Sequence, residues 1–362
     1  MWLLDVQFIR LARGSAPPVD SSGAASDHRA DNEGGQWVAS GNPDILMLRQ
    51  MMPTVIKQLD AAFTVHKLWK AGDRDAFLAP LAPKIRAIAV GGGHAQIDGA
   101  FMARFPNLET VSSFGVGYDD IDAKWAGEHG IIVTNTPDVL NEEVADTALG
   151  LLLCTVRQFP QAERYVRAGQ WGKTAFPLSQ SLHDRTVGMV GLGRIGMAIA
   201  RRLDAMKVPV VYHTRNAKPD VSYRHYPNLI DMARDADVLL VIAPGGRETE
   251  KMINAKVLEA LGPNGILINV GRGSIVDEAA LVAALKAKTI LSAGLDVFAD
   301  EPHVPKALLE MDHIVLFPHL GSASVFTRDA MAQLVVDNLI AWKAGKPPLT
   351  PVPETPYPPK QK

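Results

Sequence analysis

Cysteine is almost absent: Cys154 is the only one in 362 residues. One thiol cannot build an intrachain disulfide framework, and this usage fits a reducing compartment, with the cytoplasm as the expected location. Cys154 sits in an apolar run, 149–156, and reads as a buried, inert thiol rather than a nucleophile. Long hydrophobic runs are missing too. No stretch approaches the roughly 20 apolar residues that a membrane-spanning helix needs, so no membrane partner is expected. Neither charge sign is in excess, since 37 Lys and Arg against 39 Asp and Glu leave a net charge of -2. That balance lacks the concentrated basic surface of a protein that coats nucleic acid, and no nucleic-acid partner is expected. No repeat with a period of about 20 to 50 residues recurs. The opening MWLLDVQFIRLARG has an early Asp5 and an apolar run too short for a secretion signal.

What is present is the composition of an ordinary globular enzyme, 47% apolar and 21% charged. The length exceeds one ordinary core and suits two domains. Residues 1–42 include a stretch rich in Ser, Gly, Ala and Asp without hydrophobic periodicity, and they read as a disordered leader. Pro347, Pro348, Pro351, Pro353, Pro356, Pro358 and Pro359 mark an extended tail, 350–362, that forms neither helix nor central strand.

From Pro43 onward, short apolar runs alternate with amphipathic stretches. Residues 45–47, 63–65, 85–90, 108–112 and 131–133 read as strands, with helices at 55–62 and 97–105 between them. Strands apolar on both faces and separated by helices imply a parallel sheet covered on two sides. A long helical pattern, 141–159, follows, with Asn141 as its expected cap and Glu142 and Glu143 in its first turn. A second series has strands at 186–190, 208–213, 238–242, 266–269, 290–295 and 314–317. Six strands interleaved with helices match a doubly wound nucleotide-binding sheet. A final helix, about 325–344, is expected to pack back on the first domain.

Thr186 to Gly196 reads TVGMVGLGRIG, a buried strand running into G-x-G-x-x-G. Gly191 permits the tight turn, Gly193 lets backbone approach a pyrophosphate, and Gly196 lets the following helix pack against the strand. The helix amides, from Arg194 and Ile195 onward, face the phosphate charge. Alone this motif is weak; its strand, helix and next strand all arrive on schedule. An NAD site commonly has an acid about 20 residues beyond the last glycine. Here the second strand ends in Tyr212-His213-Thr214-Arg215-Asn216, without a carboxylate. Arg215, aided by Thr214, can pair with a 2′-phosphate, which makes NADP(H) the preferred cofactor and NAD(H) the second choice. The alternative reading of Arg215 is a solvated surface residue.

Three further segments end strands of this second series: INVGRG with Arg272, AGLDVFADEP with Asp296 and Glu301, and FPHLGS with His319. Reducing a carbonyl needs a hydride at carbon and a proton at oxygen. Histidine is best poised to give that proton near neutral pH. A carboxylate beside it, Glu301, orients the ring and favours its protonated form. Arg272 suits a two-point grip on a substrate carboxylate. Each residue alone is ambiguous; their order and context are not. In the first series, Gly91-Gly92-Gly93-His94 follows a strand and exposes N–H groups that can cradle an anion, although a plain turn reads the same way. His94 reads as a loop residue beside the cleft.

The run 43–349 resembles the D-isomer-specific 2-hydroxyacid dehydrogenase family. FGVGYDDID, TNTPDVLNEEVADTALGLLL, GLGRIG, INVGRGSIVDE, AGLDVFADEP and FPHLGSAS carry the resemblance. Within the family the chain is most similar to NADP-dependent hydroxypyruvate, glyoxylate and hydroxyphenylpyruvate reductases. The resemblance implies Arg272 as substrate binder, Glu301 as partner and His319 as the acid/base. It implies Asp296 at the nicotinamide carboxamide, and the amides of Gly92 and Gly93 at the substrate carboxylate. It implies two doubly wound α/β domains with a cleft between them: a smaller flavodoxin-like substrate domain at 43–142 and 320–349, and a Rossmann dinucleotide domain at 143–319. It also implies a homodimer formed through 141–171, where Trp171 either reaches the partner or covers its own subunit. No metal site is expected. Ala243-Pro244-Gly245-Gly246 departs from the family's more usual proline followed by leucine or a hydroxyl residue. The competing readings are an aryl-pyruvate or phosphoglycerate dehydrogenase, and a cofactor-sensing, corepressor-like protein on the same scaffold.

Overall fold

The computed structural model describes residues 41–91 and 96–359. The expected leader therefore falls almost wholly outside the described residues, as do Gly92, Gly93 and His94. Strands β1 (Asp44–Met47), β2 (Thr64–Lys67), β3 (Ile85–Val90), β4 (Thr110–Ser113) and β5 (Ile132–Thr134) form one parallel sheet in the order β2-β1-β3-β4-β5. A second parallel sheet contains β6 (Val187–Val190), β7 (Val210–His213), β8 (Arg224–His225), β9 (Val238–Val241), β10 (Ile266–Asn269), β11 (Ser292–Leu295) and β12 (Val315–Leu316). Its order is β12-β11-β10-β9-β6-β7-β8. In both sheets the first strand lies inside, the chain steps to one side, then returns to the other. Each return leaves a crevice at the strands' carboxyl ends.

Alternating residues supply both faces, as the strand period of two requires. In the larger sheet Leu239, Val241, Leu267 and Ala293 pack on one side, and Met189, Val238, Leu240 and Ile268 on the other. In the smaller, Leu46, Ile88 and Val111 face one core while Ile45, Met47, Ala87 and Ala89 face the second. Every strand expected from the sequence is present. The extra strand, β8, has no apolar run of its own. It is held through Tyr226, whose buried hydroxyl donates to Asp235 Oδ2 at 2.7 Å while the Arg224 guanidinium lies 4.4 Å from its ring centroid.

The long helix spans Asn141–Arg157. Glu142 and Glu143 do occupy its first turn, but Asn141 is not its cap. Leu140 holds that position without a side-chain cap, and Asn141 Nδ2 donates to Asp138 Oδ1 at 3.1 Å instead. The helix stops at Gln158, φ 54°, and a separate helix, Phe159–Arg167, starts around Pro160, which has no N–H to continue the ladder. Cys154 is partly buried on the long helix, and burial pushes its thiol pKa up, which disfavours the thiolate.

The last helix, Val325–Lys343, lays Ala332, Val335, Val336 and Leu339 on the smaller sheet's Ile45, Met47, Ala87 and Ala89. Its cap, Ser324, donates to Glu143 Oε2 at 2.8 Å, and Thr327 Oγ1 donates to the same oxygen at 3.0 Å. The proline-rich tail packs on β5. Val352 N–H donates to Val133 O at 2.9 Å, and Thr355 Oγ1 accepts the Val133 amide at 2.9 Å. Among the described residues, no helix is long and apolar enough to cross a membrane.

Candidate active site

The candidate residues of the larger sheet all follow its strands' carboxyl ends. Gly191 to Gly196 follow β6, Thr214 and Arg215 follow β7, and Arg272 follows β10. Asp296 and Glu301 follow β11, and His319 follows β12. Five loops at one edge of one sheet bring these separated residues to a common rim.

The glycine turn has the shape its motif demands. Gly191 has φ +99°, and a Cβ there would lie 2.8 Å from Ala243 N. A Cβ on Gly196 would lie 2.8 Å from Gly191 O, so the helix Arg194–Ala205 can sit this close only without one. Gly193 differs, because a Cβ there would meet nothing within 4 Å. Its missing side chain leaves open space in front of a helix start with no side-chain cap. Uncapped amides facing open space fit the pyrophosphate of a dinucleotide. Arg194 Nη1 turns aside to Asp138 Oδ1 and Oδ2, at 3.0 and 2.9 Å, and Ile195 packs into the adjoining apolar clusters. At the end of β7, Thr214 Oγ1 donates to Asn216 O at 2.7 Å. Arg215 is exposed and its Nη2 pairs with Glu248, a carboxylate that the sequence reading did not single out.

His319 Nδ1 donates to Glu301 Oε2 at 2.6 Å. Glu301 Oε1 accepts the Phe298 amide at 3.0 Å, so backbone fixes the carboxylate that orients the ring. His319 itself adopts φ 55°, the left-handed region that costs a non-glycine residue about 1–2 kcal/mol. Asp296 holds that turn. Its carbonyl accepts His319 N–H at 2.8 Å, and its Oδ1 and Oδ2 accept Leu320 N at 2.6 Å and Gly321 N at 2.9 Å. Asp296 is 1% exposed, and burial raises its pKa while these amides pull it back. The side chain that the resemblance aims at the nicotinamide thus also clamps the histidine loop.

Arg272 lies on the adjoining loop. A Cβ on Gly273 would sit 1.9 Å from Phe298 C, so this backbone packs directly against the loop that carries Glu301. Arg272 Nη1 donates to Gly271 O at 2.9 Å and Nε to Asp119 Oδ1 at 3.2 Å, the latter across from the smaller sheet. Beside the carboxyl ends of β1 and β4 opens a cavity of about 470 Å³ lined by Gln50, Met51, Met52, Val55, Phe114 and Arg328. Gly91, the last described residue before the glycine loop, packs against Met51 of that lining. Arg328 was also missed. Its guanidinium lies 5.4 Å from the Phe114 ring centroid, and burial lowers its pKa. Its place in the first turn of the last helix, nine residues beyond His319, carries no signal without the fold.

Residues 149–321 match the model of the D-isomer-specific 2-hydroxyacid dehydrogenase NAD-binding domain. A glyoxylate/hydroxypyruvate reductase A of Arabidopsis thaliana is 44% identical over 308 residues, covering 85% of this chain and 98% of the relative. A hydroxyphenylpyruvate reductase of Plectranthus scutellarioides is 44% identical with the same coverage. Among solved structures, the NADPH-dependent glyoxylate/hydroxypyruvate reductase of Sinorhizobium meliloti, in complex with NADP and malonate, superposes with a TM-score of 0.83 and 51% identity. That match covers 89% of this chain and 99% of the other. The chain belongs to the D-isomer-specific 2-hydroxyacid dehydrogenase family.

Proposed function

We propose that the chain reduces small 2-keto acids, with hydroxypyruvate and glyoxylate foremost, to D-2-hydroxy acids, taking NADPH in preference to NADH. The observation that carries this reading is the His319–Glu301 pair at 2.6 Å, one loop away from Arg272. A bound dinucleotide would supply the hydride. Gly191, Gly193 and Gly196 would seat its pyrophosphate, and Arg215 would receive the 2′-phosphate. Arg272 holds the substrate carboxylate, joined by the amides of Gly92 and Gly93. His319, oriented through Nδ1, presents Nε2 to the carbonyl oxygen and gives it a proton as the oxygen gains charge. Closing the cleft excludes water from that transfer. The names of the relatives support the substrate class, and the absence of an acid at the end of β7 supports the cofactor.

The working unit is a cytoplasmic homodimer. Phe159, Val166, Trp171 and Leu178 stand exposed along one stretch, and the helix Phe159–Arg167 buries no residue in its own subunit. A helix that leaves its apolar residues this exposed calls for a second surface. The test of function is NADPH oxidation on adding each keto acid, repeated with NADH. Turnover with none of them would leave a cofactor-binding protein. A monomeric mass in solution would reject the dimer.

A further inference from the structure

We propose that Asp119 is the positioning residue for Arg272, holding the guanidinium in the one orientation from which it grips the substrate. This rests on the assignment of Arg272 to the substrate carboxylate.

Asp119 sits on the loop after β4, 153 residues from Arg272, and its Oδ1 accepts Arg272 Nε–H at 3.2 Å. Gly271 O accepts from Nη1 at 2.9 Å. Two contacts on different nitrogens fix the plane of a rigid guanidinium. Of its five N–H groups, three remain for an anion, enough for a two-point grip. A free arginine would lose rotamer freedom on meeting its substrate; this one is already ordered.

The loop bearing Asp119 is itself immobilised. Thr136 Oγ1 accepts Gly115 N at 3.0 Å, and Asn135 Nδ2 donates to Val116 O at 2.8 Å. Tyr118 OH donates to Glu354 Oε2 at 3.1 Å. The space around the pair is kept by two glycines from different loops. A Cβ on Gly117 would lie 1.6 Å from Arg272 Nη2. A Cβ on Gly245 would lie 2.9 Å from Asp119 Oδ2 and 3.0 Å from Arg272 Cγ. Gly245, one of the residues that depart from the family's usual pattern, therefore has a physical role: it leaves room for this ion pair. Both side chains are about three-quarters withdrawn from solvent, 26% and 24% exposed, so the contact is not a freely solvated surface pair.

The experiment compares D119A, D119N, G245A and R272A for KM and kcat with hydroxypyruvate, for malonate inhibition, and for NADPH affinity by fluorescence titration. D119A should raise KM and the malonate inhibition constant about tenfold or more, the loss of one charge-assisted hydrogen bond, with NADPH affinity within about twofold. D119N keeps an acceptor oxygen in place and should restore most of the loss, which a general need for negative charge would not allow. G245A should raise KM with both partners intact, and it decides the matter if D119A does not fold. In the R272A background, D119A should add nothing. A KM within twofold of the parent in D119A and G245A, a fall in kcat alone, or D119N as impaired as D119A would overturn the proposal. An unchanged KM in R272A would remove the substrate role of Arg272 and this proposal with it. A large effect of R272A beside a silent D119A would remove only the role of Asp119.

Discussion

His319 Nδ1 and Glu301 Oε2 are 2.6 Å apart, while the other oxygen of Glu301 is tied to the Phe298 amide at 3.0 Å. The ring is held from behind by a group that backbone holds in turn, and Nε2 is left for the chemistry. His319→Ala should lower kcat by about 10²- to 10⁴-fold, the range of a positioned general acid. Glu301→Gln keeps the shape but not the charge and should lower kcat by about 10- to 100-fold. NADPH should bind both variants as it binds the parent. Stopped-flow turnover beside fluorescence titration checks this, and a parallel loss of cofactor affinity would reject the proton-transfer role.

Asp296 ties stability to pH. Burial raises its folded pKa above the ordinary 3.8. Its contribution to stability is therefore full below the unfolded pKa and is lost as pH rises through the higher folded value, above which a buried anion must be carried. Asp296→Asn removes this titration. Urea unfolding of parent and variant between about pH 4 and 7 should show the difference moving in the parent's favour as pH falls. A flat or opposite trend would contradict the burial argument. The variant should also lose turnover, because one amide acceptor of the His319 turn is gone.

Most of the fold was legible because its strands are apolar on both faces and each is short. Val238–Val241 and Ile266–Asn269 announce a parallel sheet by composition alone. β8 was not legible, since Arg224 and His225 are strand only through pairing with β7. Arg272, Glu301 and His319 could be picked from local context, and the structure brings their loops together. Asp119, Glu248 and Arg328 could not. Their relevance is a contact across 153 residues, an ion pair across 33, and a half-buried guanidinium. Long-range partners leave no periodicity in a sequence, whereas glycine motifs and strand ends do.

Arg215 and Glu248 bear on cofactor choice. Arg215→Ala should weaken NADPH by about tenfold or more, the loss of charge-assisted contacts to a 2′-phosphate, and should change NADH little. Glu248→Gln should act in the opposite sense, about two- to fivefold tighter for NADPH, because an exposed pair that competes for the guanidinium is a weak one. Titrations with both cofactors at low and moderate salt read out the comparison. Equal changes for NADPH and NADH would show that Arg215 does not meet the 2′-phosphate.

Gly191 and Gly193 make a paired test of the dinucleotide turn. Gly191→Ala places a Cβ 2.8 Å from Ala243 N on a backbone with φ +99°, so the fold must shift. The expected cost is about 1–3 kcal/mol, visible as a lower unfolding midpoint before any cofactor is added. Gly193→Ala adds its methyl where nothing lies within 4 Å, so the midpoint should stay within a degree or two of the parent, about the shift of 0.5 kcal/mol in a domain this large. That methyl instead occupies the approach to the uncapped helix amides, and NADPH should bind at least about tenfold more weakly, the worth of close amide contacts to a phosphate. Thermal melts and titrations on the two variants separate a glycine kept for the chain's own geometry from one kept for its ligand. If Gly193→Ala bound NADPH like the parent, the open space in front of the helix would not be where the pyrophosphate sits.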